Sequence, residues 1–378
     1  ILRNPKDTIV FDHKSDSIIL ERMQRTGADG ALHTNADGEI YHVNFCEKIL
    51  AVVLSKLSNL VADGGIWMNT QRPEWNDANN ALVGNGLSMV TLCYLRRFLK
   101  FFENIFEKDT TAEITVSAPL ADCFEKTAAV LEQNKQYLSG NVNDGIRKKM
   151  TDALGEAASE YRSEIYENGF STNKKVLTTG QILACFSTAN KYLEHAITVN
   201  ERADGLYHTY NLLSYNDVSM QVGHLAEMLE GQVAVLSSGY LSAQQSVNVL
   251  DALKESALYR ADQNSYILYP NKNLPGFLQK NNLPEELIEN SLLLQQLLRD
   301  GNRSIIEKDV NGTLHFNGNF RNANDVETAL DKLEQPYTEL VSKEKKPVLQ
   351  IFEEVFNHKE FTGRSGTFYG YEGLGSIY

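Results

Sequence analysis

Residues 64–80 read Gly-Gly-Ile-Trp-Met-Asn-Thr-Gln-Arg-Pro-Glu-Trp-Asn-Asp-Ala-Asn-Asn and lie between two predicted helices. The stretch holds both tryptophans of the chain and two carboxylates, Glu74 and Asp77. Aromatic rings stack on the C–H faces of sugars, amides hydrogen-bond hydroxyl groups, and a carboxyl group protonates a glycosidic oxygen. The stretch therefore predicts a carbohydrate site, with substrate-binding side chains at Trp67, Arg72, Trp75, Asn76 and Asn80.

Two interpretations of the carboxylates are open at this point. Either Glu74 or Asp77 acts as a general acid, because apolar walls such as Trp67 and Trp75 favour the protonated form of a carboxyl group. Alternatively, Asp77 caps the following helix, or both acids are solvated.

The composition excludes several classes of protein. The chain has 378 residues, of which 42% are hydrophobic, so it can bury a large core. Its formal net charge of −13 argues against a general nucleic-acid binder, which needs a basic surface to neutralise phosphates. No run of about 18 apolar residues occurs, so we expect no membrane span.

The cysteines and the chain ends give weaker indications. Cys46, Cys93, Cys123 and Cys185 fall in apolar helical patterns, which predicts buried free thiols and slightly favours a reducing, cytoplasmic location. The chain opens at Ile1 without an initiator methionine and stops at Tyr378, so we expect a fragment of a longer protein.

Hydrophobic periodicity predicts a chain built from helices. Residues 1–42 form a lead-in with a short strand at Thr8–Phe11, and the rest forms one helical domain with a small insertion over 257–322. The predicted strands are otherwise limited to a hairpin in 302–322 with its turn at Asn311-Gly312. Long helices are predicted over 43–62, 86–107, 112–137, 144–169, 178–199, 220–236, 242–256, 324–344 and 346–358, with Asn44 capping the first and Ser88 or Asn85 the second.

Two later segments carry further candidates. Residues 203–219 are rich in Tyr and Asn, and Tyr207 and His208 are typical of a sugar-contacting wall. Near the end, Gly370 and Gly373 flank Tyr371 and Glu372, which predicts either a catalytic base at Glu372 or a plain surface turn.

The same glycine-rich end lacks a Gly-Lys-Ser/Thr sequence, so a phosphate-binding P-loop is not supported. Arg364 and Ser365 with neighbouring N–H groups can still hold an oxyanion or orient a hydroxyl group.

The sequence gives little support for a metal site or for nucleophilic catalysis. His224 and Glu227 share one face of the predicted helix 220–236, but no third ligand has the right spacing, so we predict no metal and no cofactor. No Gly-x-Ser-x-Gly motif occurs and no cysteine has a nearby histidine, which excludes the common nucleophilic hydrolases.

Residues 74–80, Glu-Trp-Asn-Asp-Ala-Asn-Asn, resemble the Asp-Trp-Asn-Asp-Gly-Met-Asn signature of cellobiose and chitobiose phosphorylases. The pair Glu74-x-x-Asp77 is also similar to the Glu-Ser-x-x-Asp pattern of trehalases and related glucosidases. The chain looks most like a group of bacterial proteins distantly related to these enzymes. It departs from the phosphorylase signature at Glu74, Ala78 and Asn79.

The resemblance implies an all-α fold, an (α/α)6 toroid or part of one, with long functional loops and one small β-hairpin. It also implies an inverting enzyme in which Asp77 is the acid and Glu372 activates water. The first hypothesis is therefore an inverting glycoside hydrolase that acts on an oligosaccharide or disaccharide. The alternatives are a disaccharide phosphorylase that uses inorganic phosphate, and an inactive carbohydrate-binding or scaffold module.

Overall fold

The structure is a computed structural model that describes residues 11–35, 37–69, 82, 84–170, 172–270 and 277–356. The chain divides into two compact units, Ile1–Leu268 and Tyr269–Tyr378. The boundary between them falls inside the segment 257–322 that the sequence suggests as an insertion.

Two long helices of the first unit begin at N-cap residues that the sequence indicates. The side chain of Asn44 accepts a hydrogen bond from the Glu47 N–H at 2.8 Å, and Ser88 Oγ accepts one from the Thr91 N–H at 3.0 Å. The predicted cap at Asn44 is therefore confirmed, and Ser88, rather than Asn85, caps the second predicted helix. The α-helices are α1 His13–Thr26, α2 Phe45–Leu57, α3 Met89–Phe106, α4 Ala118–Asn134, α5 Asp144–Asn168, α6 Thr179–Val199, α7 Leu229–Ser237 and α8 Ala243–Glu255.

A five-stranded antiparallel sheet contradicts the predicted all-α toroid. Its strands lie in the order β1-β2-β3-β6-β7, and the described part of this unit also holds two separate two-stranded pairs, β4–β5 and β8–β9. The fold is therefore mixed, with helices and sheets in one unit. The strands are β1 Leu60–Val61, β2 Gly65–Trp67, β3 Gly86–Ser88, β4 Glu113–Ser117, β5 Lys174–Thr178, β6 Tyr210–Tyr215, β7 Met220–His224, β8 Tyr259–Arg260 and β9 Ser265–Tyr266.

The strands are hard to predict from the sequence because they are short, and β3, β4 and β5 continue directly into helices. Strand β3 ends at Ser88 and α3 begins at Met89, so Leu87 fits the helical repeat although it pairs with Asn211. The predicted helix 220–236 is wrong over its first part, which forms β7, and correct over α7. A short run of apolar residues has no period that separates the two structures.

The core of the first unit lies mainly between its helices, and the sheet adds a second cluster. One sheet face contributes Leu60 and Ile66 to the helical core. The opposite face forms a small cluster of Val61, Trp67, Leu87, Leu213 and Met220, with Val222 packed against it. The four cysteines are free thiols, as predicted, and Cys46 is the one that is only partly buried.

The second unit has its own core and the predicted hairpin. Strands β10 Ile306–Lys308 and β11 Leu314–Phe316 pair antiparallel, and Gly312 adopts φ +92° in the turn between them. The rings of Phe316, Phe352 and Phe356 are fully buried and contact one another. The helices are α9 Phe277–Lys280, α10 Glu285–Glu289, α11 Leu292–Arg299, α12 Ala323–Asp331 and α13 Thr338–Phe356.

Within the described ranges, no helix combines the length and the apolar character that a membrane crossing requires.

The contact between α7 and the segment before β6 gives a test of packing. A Cβ atom on Gly231 would clash with Thr209 Oγ1 and lie 2.9 Å from Thr209 Cα. The Gly231→Ala variant can therefore fold only if the backbone moves at one of these two residues. We expect the free energy of unfolding to fall by about 1–3 kcal/mol in urea titrations. Gly145→Ala, also in the first turn of a helix, meets its nearest neighbour at 3.6 Å and is the matched control. An equal loss in both variants would contradict this account of the packing.

Candidate functional site

Residues 70–81, which carry the acids of the tryptophan-rich stretch, join β2 to β3 and lie outside the described residues. Backbone hydrogen bonds fix the chain on either side of these residues. The Met68 N–H donates to the Gly86 carbonyl at 2.9 Å, and the Gly84 N–H donates to the Met68 carbonyl at 2.7 Å. These bonds extend the β2–β3 ladder as far as Met68 and Gly84, close to the two ends of residues 70–81.

Trp67 is a buried residue of the sheet. Its side chain packs in the cluster of Val61, Leu87 and Met220, and 6% of the residue is exposed. The indole Nε1–H donates to the Gly84 carbonyl at 3.1 Å, and the ring meets Tyr215 edge-on with centroids 5.7 Å apart. Its use as a sugar-stacking wall stays a prediction.

Most of the other predicted site residues lie outside the described ranges, and their roles stay predictions. They are Arg72, Glu74, Trp75, Asn76, Asp77, Asn80, Arg364, Tyr371 and Glu372.

Tyr207 is placed in the helical core of the first unit, where 5% of it is exposed. Its N–H donates to Gln232 Oε1 at 2.8 Å, and Gln232 Nε2 donates back to the Tyr207 carbonyl at 2.7 Å. Burial, with a smaller effect of Glu201, raises the pKa of the Tyr207 phenol to about 12, so the hydroxyl group stays protonated. A sugar contact of Tyr207 likewise stays a prediction.

His208 forms a stacked pair with His224. The ring centroids lie 4.0 Å apart and the planes differ by 11°. Burial, and then the charge that His224 would carry, lower the pKa of His208 to about 4. Burial, and then Arg202, lower the pKa of His224. Both shifts favour the neutral form of the rings.

Two asparagines connect this histidine pair to the turn between β1 and β2. Asn211 Nδ2 donates to the Gly64 carbonyl at 2.8 Å and to Asn200 Oδ1 at 2.7 Å. Asn200 Nδ2 in turn donates to the Asp63 carbonyl at 2.7 Å. Both asparagines are fully buried, so each amide group has the partner that burial requires.

Asp63 occupies that turn with φ +63°, a left-handed conformation that is uncommon for a residue other than glycine. Its Oδ2 accepts the Val142 N–H at 2.8 Å and lies 3.4 Å from the Arg147 guanidinium. Its Oδ1 lies 2.9 Å from His195 Nδ1, in an ion pair that lacks the alignment of a good hydrogen bond. This carboxylate, in contact with the ring, raises the pKa of His195, against the opposing effect of burial.

Arg147 completes the Asp63 cluster, which we define as Asp63, Arg147 and His195. Its guanidinium donates to the carbonyl groups of Ala62, Met220 and Val142 at 2.8, 2.8 and 2.6 Å. It also contacts Asp144 at 2.6 Å. Since 8% of the Arg147 side chain and 10% of the Asp63 side chain are exposed, the pair is shielded from water.

Sequence reasoning missed this cluster, although one signal was present. The sequence Asp63-Gly64-Gly65 before a strand marks a turn that needs left-handed backbone, and Gly65 adopts φ +125°. Nothing local marks Arg147 or His195, because their partners are remote in sequence.

The described residues do not favour a metal site. They contain no group of three or more His, Cys, Asp or Glu side chains that could hold an ion. His224 ends strand β7 and Glu227 lies in the connection before α7, so the helical face that would have paired them does not exist. Glu227 instead contacts Arg202 at 3.3 Å.

Two pockets are found among the described residues. One of about 350 Å³ lies beside α4 and α5, and another of about 220 Å³ lies beside the β10–β11 hairpin. Neither is lined by Trp67, Tyr207 or His208.

Comparison with known families bears on the second unit. Residues 274–359 match the family model of GH149 phosphorylase insertion domain 2. The match contains the whole described core of that unit, from Leu283 to Phe356. It covers less than a quarter of the chain and supports a relation to a glycoside phosphorylase family. A comparison with curated proteins finds no significant match.

The buried Asp63 cluster gives a stability prediction. Asp63→Asn keeps the size of the side chain but removes a charge that faces Arg147 and His195. We expect the free energy of unfolding of the first unit to fall by about 2 kcal/mol, because a buried charge loses one of its partners. Asp262→Asn removes an exposed carboxylate paired with Arg260 and should cost much less, because water and salt screen an exposed ion pair. Equal losses in the two variants would contradict a special role for Asp63.

The raised pKa of His195 gives a pH prediction with a defined sign. The folded protein holds this proton more tightly than the unfolded chain, so the contribution to stability is complete below about pH 6.5. It is lost as the pH rises through the raised pKa of the folded state. Unfolding of the parent protein at several pH values above neutrality should show this loss, and His195→Gln should flatten it. A slope unchanged by His195→Gln would refute the assignment.

Proposed function

We propose that the protein is a glycoside phosphorylase, which cleaves a glycosidic bond of an oligosaccharide or disaccharide with inorganic phosphate. The observation that carries this proposal is the match of residues 274–359 to an insertion domain of phosphorylases. The signature-like residues 74–80 provide separate support, because they resemble a motif of other disaccharide phosphorylases and lie in the other unit.

In the proposed reaction Asp77 donates its proton to the glycosidic oxygen as the bond from that oxygen to the anomeric carbon breaks. A phosphate oxygen attacks the anomeric carbon from the opposite face and forms the sugar 1-phosphate with inverted configuration. The proton of the attacking hydrogen phosphate restores the acid form of Asp77, so protons balance over one turnover. Arg364, Ser365 and neighbouring glycine N–H groups are the proposed phosphate site.

The two ends of the β2–β3 connection are held by hydrogen bonds, which suits a segment that carries a general acid. Ladder bonds and the Trp67–Gly84 bond hold both ends of the connection that contains Asp77. General acids act well when a rigid scaffold fixes their carrier segment. Trp75 and Arg72 remain the proposed sugar contacts of that segment.

The hydrolase alternative differs from the phosphorylase in one requirement. Hydrolysis by inversion needs a base that activates water, the role suggested for Glu372. Phosphate is already a nucleophile, so a phosphorylase has no need of that base.

A pair of substitutions tests the acid. Asp77→Asn keeps the shape but removes the proton donor, and we expect phosphate-dependent turnover to fall roughly 10²–10⁴-fold. Glu74→Gln, in the same segment, is the matched control and should retain most of the activity. The measurement is release of sugar 1-phosphate from a panel of disaccharides and oligosaccharides. Full activity in Asp77→Asn would remove the central assignment.

Phosphate dependence separates the three functions. A phosphorylase turns over only with phosphate and tolerates Glu372→Gln. A hydrolase turns over without phosphate and loses activity in Glu372→Gln. Sugar binding without turnover under either condition indicates the carbohydrate-binding or scaffold module.

A further inference from the structure

The histidine pair of His208 and His224 joins two segments that are separate in the fold. His208 lies between α6 and β6, and His224 is the last residue of β7. Strand β7 is at the edge of the described sheet, where β6 is its neighbour. The stacked rings, with centroids 4.0 Å apart, therefore hold the end of an edge strand against the segment that precedes β6.

The hydrogen-bond network fixes which nitrogen of His224 carries a proton. Asn211 Nδ2 donates to Gly64 and Asn200, so Asn211 Oδ1 is the atom that faces the ring. It lies 2.8 Å from His224 Nδ1, which must therefore be the donor. A neutral ring satisfies this bond fully.

The surroundings of the pair oppose a positive charge. Arg202 is the nearby cation that acts on both rings. Its guanidinium is already paired with Asp204 at 2.7 Å and Glu227 at 3.3 Å, so these carboxylates are engaged. His208 Nδ1 is buried and meets no hydrogen-bond partner in the described part of the chain. The Leu225 backbone and the Asp204 carboxylate favour protonation of His208, but more weakly than burial, the charge that His224 would carry and Arg202 oppose it.

We propose that the histidine pair is a pH-sensitive switch that holds the end of β7 in place when both rings are neutral and releases it when either ring is protonated. Stacking two imidazoles is compatible with neutral rings, whereas a charge on one ring is buried beside Arg202 and the other ring. The switch acts on the sheet whose strands β2 and β3 flank residues 70–81, and it does not depend on the proposed phosphorylase reaction.

The direction of the response follows from the two states. In the closed state the rings resist protonation, and in the open state they titrate near their ordinary value of about 6.5. Acidification therefore stabilises the open state and raises its population. Above neutrality neither state binds the proton, and the population no longer depends on pH through this pair.

Hydrogen exchange of the β7 amides measures the open population. We expect the peptide that contains Met220–His224 to exchange on the order of tenfold faster at about pH 5 than at about pH 7.5, after correction for intrinsic exchange rates. Peptides from the β4–β5 pair at the same two pH values are the internal reference.

Substitutions assign the effect to the pair. His224→Gln keeps a donor for Asn211 and removes the imidazole, so the extra acid-driven exchange should shrink to less than about twofold. His208→Gln removes the other ring and should give the same result if His224→Gln fails to fold. His33→Gln, which changes a more exposed histidine of the same unit, should keep the full response. Exchange of β7 that is independent of pH in the parent protein, or unchanged dependence in both pair variants, would overturn the proposal.

Discussion

The buried guanidinium of Arg147 is the interaction on which the first unit depends. It bonds carbonyl groups of the β1–β2 turn, of Val142 before α5, and of Met220 in β7, which are remote in sequence. Burial of apolar area drives compaction but has no direction, whereas these bonds define which segments meet. The charge is tolerated because Asp63 and Asp144 face it. The sheet is thus placed by a polar group rather than by its small apolar cluster alone.

Because these contacts join residues that are remote in sequence, only part of the fold could be predicted from the sequence. Helix caps at Asn44 and Ser88, and the hairpin around Asn311-Gly312, depend on neighbouring residues and were predicted correctly. The sheet depends on pairs such as Leu87 with Asn211, which no local pattern marks. Arg147 and His195 read as ordinary polar helix positions. The predicted all-α toroid was wrong because the strands are short, and several of them, such as β3, β4 and β5, run directly into helices whose repeat they fit.

For the candidate site, the sequence indicates which types of side chain are present but not where they lie in the fold. Residues 64–80 showed the aromatic, amide and acidic side chains that sugars require, but not that Trp67 would be buried and bonded to Gly84. His208 is predicted as a sugar contact, yet its ring stacks on that of a second histidine, His224. Two signals from different units converge on carbohydrate chemistry: residues 74–80, and the match over 274–359 to a phosphorylase insertion domain. The match over 274–359 is the reason to favour phosphate over water as the nucleophile, since residues 74–80 resemble both phosphorylases and hydrolases.

The most direct test runs the proposed reaction backwards. The protein is incubated with sugar 1-phosphates of either anomeric configuration and an acceptor sugar, and inorganic phosphate and new oligosaccharide are measured together. Phosphorolysis is reversible, so a phosphorylase releases phosphate in step with glycosidic bond formation from one anomer. Failure of every donor to support synthesis, with hydrolysis of the same glycosides in phosphate-free buffer, would contradict the proposed function.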